Sequence, residues 1–185
     1  KTELLFELAD VFDDYEQFDE VFECLKQILD SEPDNEEALF KICFWTDYAG
    51  KFGESIELHQ RIIDKQPYNH LAWFNLGTAY QGLNLHEKAI DAYLYSIAIN
   101  EKFDYAYRNL GDAYICIKNF KEAAEALEKV LELTLPEDVI YEALGHCYEK
   151  LKDPVQARAN YRKALHNNPE DSNLFYRIAV TYMME

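Results

Sequence analysis

The sequence predicts an all-α chain of repeated antiparallel helix pairs, and three observations carry that reading. Apolar and aromatic side chains recur at helical spacing, and one six-residue pattern returns every 34 residues. With six Gly and five Pro in 185 residues, the chain is also short of the turn formers an all-β protein needs. At 49% apolar and 15% aromatic residues it is too hydrophobic for disorder.

The pattern is clearest between Ala72 and Tyr93, where it occupies Trp73, Leu76, Gly77, Tyr80, Ala89 and Tyr93. A shift of 34 lands on Tyr107, Leu110, Gly111, Tyr114, Ala123 and Leu127, and a second on Tyr141, Leu144, Gly145, Tyr148, Ala157 and Tyr161. A third reaches Phe175, Ile178, Ala179 and Tyr182. Toward the N-terminus the fit is looser, with Leu39, Ile42, Cys43, Thr46, Ser55 and His59, then Leu5, Leu8, Ala9, Phe12, Val21 and Leu25. Repeats are therefore expected at about 2–35, 36–69, 70–103, 104–137 and 138–171, with a partial one at 172–185.

Helical geometry explains the spacing. Trp73, Leu76, Gly77 and Tyr80 share one face of a helix. Gly inside a helix costs roughly 1 kcal/mol relative to Ala. Its return at Gly77, Gly111 and Gly145 implies a neighbouring helix too close for a β-carbon, with Ala89, Ala123 and Ala157 as the matching small residues. Pro33, Pro67 and Pro169 close units because Pro cannot continue a helix interior. The first helix of each pair, helix A, is expected to span about 13 residues, and helix B slightly more.

This pattern resembles the tetratricopeptide repeat, a 34-residue helix–turn–helix unit with the spacing W-x2-L-G-x2-Y…A-x3-F…P. Ala9 and Cys43 replace its Gly, Ser55 and His59 replace its Ala and aromatic, and Glu101 and Leu135 stand where Pro is usual, with Pro136 one place late. The resemblance implies a right-handed superhelical solenoid, a single array over 1–185 of five repeats plus one extra helix. Both ends look unfinished. Leu4 and Val11 lack a preceding helix, and the last helix carries Leu174, Ile178, Val180 and Met183. A fragment of a longer chain is expected, with self-association through these ends as the alternative.

The formal net charge is −17. Up to Asn69 there are 6 Lys/Arg against 18 Asp/Glu, a net of −12, and from His70 onward 12 against 17, a net of −5. Such a surface repels nucleic-acid phosphates and anionic membranes, so neither is expected as a partner. The acidic N-terminal half either steers a basic partner or serves solubility. Cys24, Cys43, Cys116 and Cys147 form no CxxC pair and read as small apolar residues. They suit a reducing compartment, and a cytoplasmic location is expected. The chain begins at Lys1 rather than Met, which leaves room for a removed targeting segment.

No catalytic constellation is visible. The five His include no H-E-x-x-H and no close pair, and His59 sits on a packing position, where a core histidine is expected. P-loop, GxSxG and GxGxxG patterns do not occur. The carboxylate-rich stretch Asp30–Glu37 lacks the spacing and Gly of an EF-hand loop and reads as a solvated turn. No enzyme activity, cofactor or metal is expected.

The resemblance further implies that the A helices line a concave groove for an extended peptide or a helix. Asn75 and Asn109 form successive rungs there. Similar Asn ladders in the repeats of O-linked N-acetylglucosamine transferase hold a peptide backbone; local hydrogen bonding is the alternative role. Phe6, Phe40, Phe44 and Phe74 would form an aromatic floor flanked by Glu3, Asp10, Glu37 and Asp47, unless these rings pack between adjacent A helices. Such a floor favours a partner with basic or aromatic side chains. The Lys and Asn set that clamps the C-terminal carboxylate of heat-shock chaperones is met in no window. The expected contacts are Asn75, Asn109, Arg108, Tyr105 and Phe74, extended by Phe40 and Phe44. The function expected is a non-enzymatic protein-interaction scaffold. Alternatives are the regulatory or targeting arm of an enzyme whose catalytic domain lies elsewhere, or an acidic client-holding secretion or assembly chaperone.

Overall fold

The structure, a computed structural model, describes residues 1–135, 138–167 and 169–184, without the side chains of Asp47 and Asn167. Pro136 and the Asp47 carboxylate, both used in the sequence reading, thus lie outside the described residues. The described residues hold helices and no strand. In chain order the helices are α1 (Thr2–Asp14), α2 (Phe18–Ser31), α3 (Glu36–Ala49), α4 (Phe52–Lys65), α5 (His70–Gly82) and α6 (His86–Ile99). They continue with α7 (Asp104–Cys116), α8 (Phe120–Leu133), α9 (Asp138–Lys150), α10 (Pro154–Asn167) and α11 (Ser172–Met183). None of the described helices is long and apolar enough to cross a membrane.

The chain divides into two compact units, Lys1–Glu101 and Lys102–Glu185. The first holds the hairpins α1/α2, α3/α4 and α5/α6; the second holds α7/α8 and α9/α10, with α11 packed on α10. The division falls two residues before the boundary expected between the repeats at 70–103 and 104–137.

The repeated Gly does what its spacing requires. A β-carbon on Gly77 would stand 2.5 Å from Tyr93 Cε1, one on Gly111 2.8 Å from Leu127 Cγ, and one on Gly145 2.5 Å from Tyr161 Cδ1. Each of these three hairpins closes by seating a helix-B side chain on bare helix-A backbone. Tyr93, Leu127 and Tyr161 are fully buried as a result. Burial of such a side chain is worth about 1.5–3 kcal/mol. In the repeat at 36–69, Cys43 and His59 replace this pair, and α3 and α4 meet only sparsely. There α3 lies against α5 instead.

The turn between helices A and B also repeats. Glu16, Gly50, Asn84, Lys118 and Lys152, each 34 residues from the next, all have φ between 55° and 64°. In every repeat the residue after it donates its N–H five residues back, as from Gln17 to Phe12 O at 2.9 Å and from Asn119 to Tyr114 O at 2.9 Å. This 6→1 bond with a left-handed residue is a Schellman ending. Side-chain caps start other helices. Asn35 accepts from Ala38 N at 2.9 Å, Asn69 from Ala72 N at 3.0 Å, and Asp171 from Leu174 N at 3.2 Å. The acidic stretch Asp30–Glu37 is therefore a helix end and a cap.

Leu4, Leu8 and Val11 are exposed along one side of α1, and Tyr15 just past its end is exposed too. On α11 Met183 is exposed as expected, whereas Leu174 is buried against α10 with Ala157, Tyr161 and Ala164. Its side of α11 faces the preceding hairpin.

Candidate functional site

The first unit presents aromatic side chains on α3. Phe40 and Phe44, one helical turn apart, meet edge to face with centroids 5.3 Å apart. They remain 36% and 48% exposed, so their contact leaves apolar surface uncovered. Beside them lies a cavity of about 310 Å³, lined in part by Ala9, Asp10 and Asp13 of α1 and by Trp45 of α3. Phe6 is half-buried, and the Lys41 ammonium lies 5.1 Å from its ring centroid. Lys41 also reaches Glu37 at 3.1 Å and Asp10 at 3.5 Å. Burial works against its charge, but hydrogen bonding to Glu37 and the nearby carboxylates outweigh it and raise the pKa.

Phe74 and Asn75 occupy the equivalent places on α5 and are buried. The ring of Phe74 packs 5.9 Å from that of Tyr93. Asn75, only 1% exposed, donates from Nδ2 to Leu39 O at 2.6 Å and lies 3.1 Å from His59 Nε2. His59 Nδ1 lies 2.8 Å from Ser55 O, which fixes the proton on Nδ1 and leaves Nε2 to accept. Both amide hydrogens of Asn75 are thereby committed, and its Oδ1 is buried without a partner among the described residues. Asn75 therefore joins α3, α4 and α5 rather than standing as an open rung. The physical reason is the missing aromatic at residue 59: the imidazole that replaces it needs a donor, and Asn75 supplies one. Burial pushes the His59 pKa down to about 4, opposed by its bond to the Ser55 carbonyl.

In the second unit Tyr105 is exposed, with its ring 5.8 Å from Phe103, while Arg108 and Asn109 are half-buried on α7. On α11, Arg177 approaches Glu149 Oε2 at 3.5 Å and the Tyr161 hydroxyl at 3.4 Å, and that hydroxyl donates to Glu149 at 2.9 Å. Burial, then the bond to Glu149, raises the Tyr161 pKa. This surface is charged where that of the first unit is aromatic. Among the described residues no three His, Cys, Asp or Glu side chains are gathered closely enough to hold a metal ion.

Sequence reasoning missed one feature of the first unit. A hollow of about 550 Å³ lies against α4, α5 and α6, walled by Trp73, Tyr80 and Tyr95. Trp73 and Tyr80 read as packing positions of the repeat. Tyr95 belongs to no place of the pattern, so nothing in the sequence drew these rings together.

Stacked hairpins with exposed side chains on their A helices define a helical-repeat interaction scaffold. Tetratricopeptide repeat models match residues 47–107, 104–134 and 139–171, together well over half of the sequence. The chain belongs to the tetratricopeptide repeat family, whose repeats serve protein–protein interaction. Among solved structures it is similar to MamA, at 25% identity over 93% of this chain and 94% of the other, with a TM-score of 0.72. A thermophilic repeat protein of Thermus thermophilus, TTC0263, shares 20% identity over 99% of this chain and 100% of its own, with a TM-score of 0.67. YrrB, described as a repeat protein with an unusual peptide-binding site, aligns over 66% of this chain and 63% of its own at 20% identity and a TM-score of 0.60. No curated protein is matched by sequence alone.

Proposed function

We propose that this protein is a non-enzymatic scaffold that reversibly holds a peptide or helix of a protein partner on the faces of its A helices. The observation that carries the reading is the exposed Phe40–Phe44 pair beside the cavity edged by Asp10 and Asp13. Aromatic rings offer large contact area at low entropic cost, and neighbouring carboxylates favour Lys or Arg in the segment bound. Pre-formed helices lower the ordering cost of association. Phe74 and Asn75 support this face from beneath, and Tyr105, Arg108 and Asn109 are the proposed contacts of the second unit. YrrB, with its peptide-binding site, supports a peptide ligand by similarity of fold. A cytoplasmic setting belongs to the same reading, supported by Cys24, Cys43, Cys116 and Cys147, which form no disulfide among the described residues.

The test is a peptide array carrying apolar residues beside Lys or Arg, followed by calorimetry on any binder. Phe40→Ala/Phe44→Ala should weaken binding by about tenfold or more, equivalent to ~1.4 kcal/mol. Arg108→Ala/Asn109→Ala should weaken it less. Binding unchanged in both double variants, with circular dichroism confirming their fold, would remove the A-helix faces as the working surface.

A further inference from the structure

The hollow against α4, α5 and α6 is independent of the A-helix face and built differently. Its floor is apolar, from Ile63 and Leu76. Trp73 and Tyr95 form one wall as a stacked pair, with centroids 4.5 Å apart and planes 22° from parallel. The indole N–H of Trp73 donates to Pro67 O at 2.9 Å, and Gln60 Nε2 donates to the Tyr80 hydroxyl at 3.2 Å, so two of the three rings are held in place. The carboxylates of Asp64 and Asp91 stand exposed among the lining residues, and neither forms an ion pair among the described residues.

We propose that this hollow receives an arginine side chain of a protein partner. Three aromatic rings and two unpaired carboxylates converge on one concavity. They do so on a unit whose residues 1–101 carry 7 Lys/Arg against 21 Asp/Glu, a net charge of −14. Ring faces attract cations, and the attraction grows as water is excluded. The site already shows this preference internally. The Lys88 ammonium lies 5.5 Å from the centroid of Tyr80, leaving the Trp73–Tyr95 end to a second cation. A guanidinium suits that end better than another ammonium. It is planar, stacks on aromatic faces, is weakly hydrated and grips a carboxylate with two parallel N–H groups. A volume of about 550 Å³ also leaves room for residues flanking the arginine.

The chain's two tryptophans make the test direct, because Trp73 lines this hollow and Trp45 lines the cavity beside Phe40. The intact protein would be titrated with N-acetyl-arginine amide while both indole N–H signals are followed by 1H–15N NMR. Parallel titrations would use the neutral N-acetyl-citrulline amide and N-acetyl-lysine amide. The expected result is a saturable shift of the Trp73 signal with the arginine probe, a weaker one with lysine and none with citrulline. Asp64→Asn/Asp91→Asn, at two exposed positions, should weaken the arginine response about fivefold and leave that of Trp45 unchanged. Tyr95→Ala should weaken it as well. A Trp73 signal that stays still, that moves equally with citrulline or lysine, or that ignores the double Asn variant would overturn the assignment. A response confined to Trp45 would do so too, while leaving the A-helix reading intact.

Discussion

The phenol ring of Tyr93 lies on the backbone of Gly77 so closely that a β-carbon there would meet Cε1 at 2.5 Å and Cδ1 at 2.7 Å. The ring has little freedom to retreat, since it is fully buried and its hydroxyl donates to Gln81 Oε1 at 2.9 Å. Ala is the better helix former by roughly 1 kcal/mol, which argues for a stabilising Gly77→Ala. Forced overpacking costs about 1–3 kcal/mol and wins here because ring and hydroxyl are both fixed. Gly77→Ala should therefore lower the urea midpoint of the first unit, read by the fluorescence of its two tryptophans, Trp45 and Trp73. Gly111→Ala should cost less, because Leu127, whose Cγ and Cδ2 would lie at 2.8 and 2.9 Å, has no hydroxyl tether such as holds the Tyr93 ring. Equal losses at the two sites would show that the neighbouring side chain does not set the penalty.

His59 gives the first unit a pH dependence of definite sign. Its pKa falls from 6.5 to about 4 on folding because the imidazole is wholly buried. The folded state therefore holds it neutral while the unfolded chain takes up a proton below 6.5. Stability is full above that value, and it falls as the pH drops toward 4. Between pH 7.5 and pH 5 the loss from this group is about 2 kcal/mol. Burial also lowers the pKa of His70 and His146, so the comparison needs a variant. His59→Leu installs the residue that Leu127 supplies at the matching place of the 104–137 repeat. Urea titrations at the two pH values should show a smaller pH-dependent loss for His59→Leu than for the wild type. An identical loss would assign the acid sensitivity elsewhere.

The hairpins were legible in the sequence because the close approach of two helices leaves a chemical mark: Gly on one side, Ala and a large apolar residue on the other. Gly77 and Gly145 announce a close neighbour in this way, but the spacing pairs them with Ala89 and Ala157, whereas the rings of Tyr93 and Tyr161 fill the space. The surface was harder to read. Phe40 and Phe74 occupy the same place in successive repeats, yet one is exposed and the other buried against Tyr93. The difference lies in residues elsewhere: in the repeat of Phe40, His59 stands at the place of Tyr93 and Cys43 at that of Gly77. The amide of Asn75 was similarly out of reach, since its acceptor is a carbonyl 36 residues earlier. Trp73 and Tyr95 meet across two helices at a spacing that no periodic pattern marks.

The recurring left-handed turn residue was invisible for another reason, and it yields the last prediction. Only Gly50 among the five is the residue such a φ favours; Glu16, Asn84, Lys118 and Lys152 all carry a β-carbon. For a non-Gly residue this conformation costs roughly 1–2 kcal/mol, and Asn bears it more easily than Lys. Replacing Lys118, at φ 63°, by Gly removes that cost but adds about 0.5–1 kcal/mol of chain entropy to the unfolded state. The net gain should be about 0.5–1 kcal/mol, read as a higher urea midpoint for Lys118→Gly. Lys121→Gly is the control, three residues on in the first turn of α8 and likewise exposed. It should lose about 1 kcal/mol, because there Gly weakens a helix, and the exposed Lys121–Glu125 pair it removes, at 3.8 Å, contributes little. Gly50→Ala should also lose stability, although nothing lies within 4 Å of the added β-carbon, since backbone conformation alone opposes it. Opposite signs at residues 118 and 121 would establish that the turn repeats a backbone requirement its side chains do not display; a loss at both would refute it.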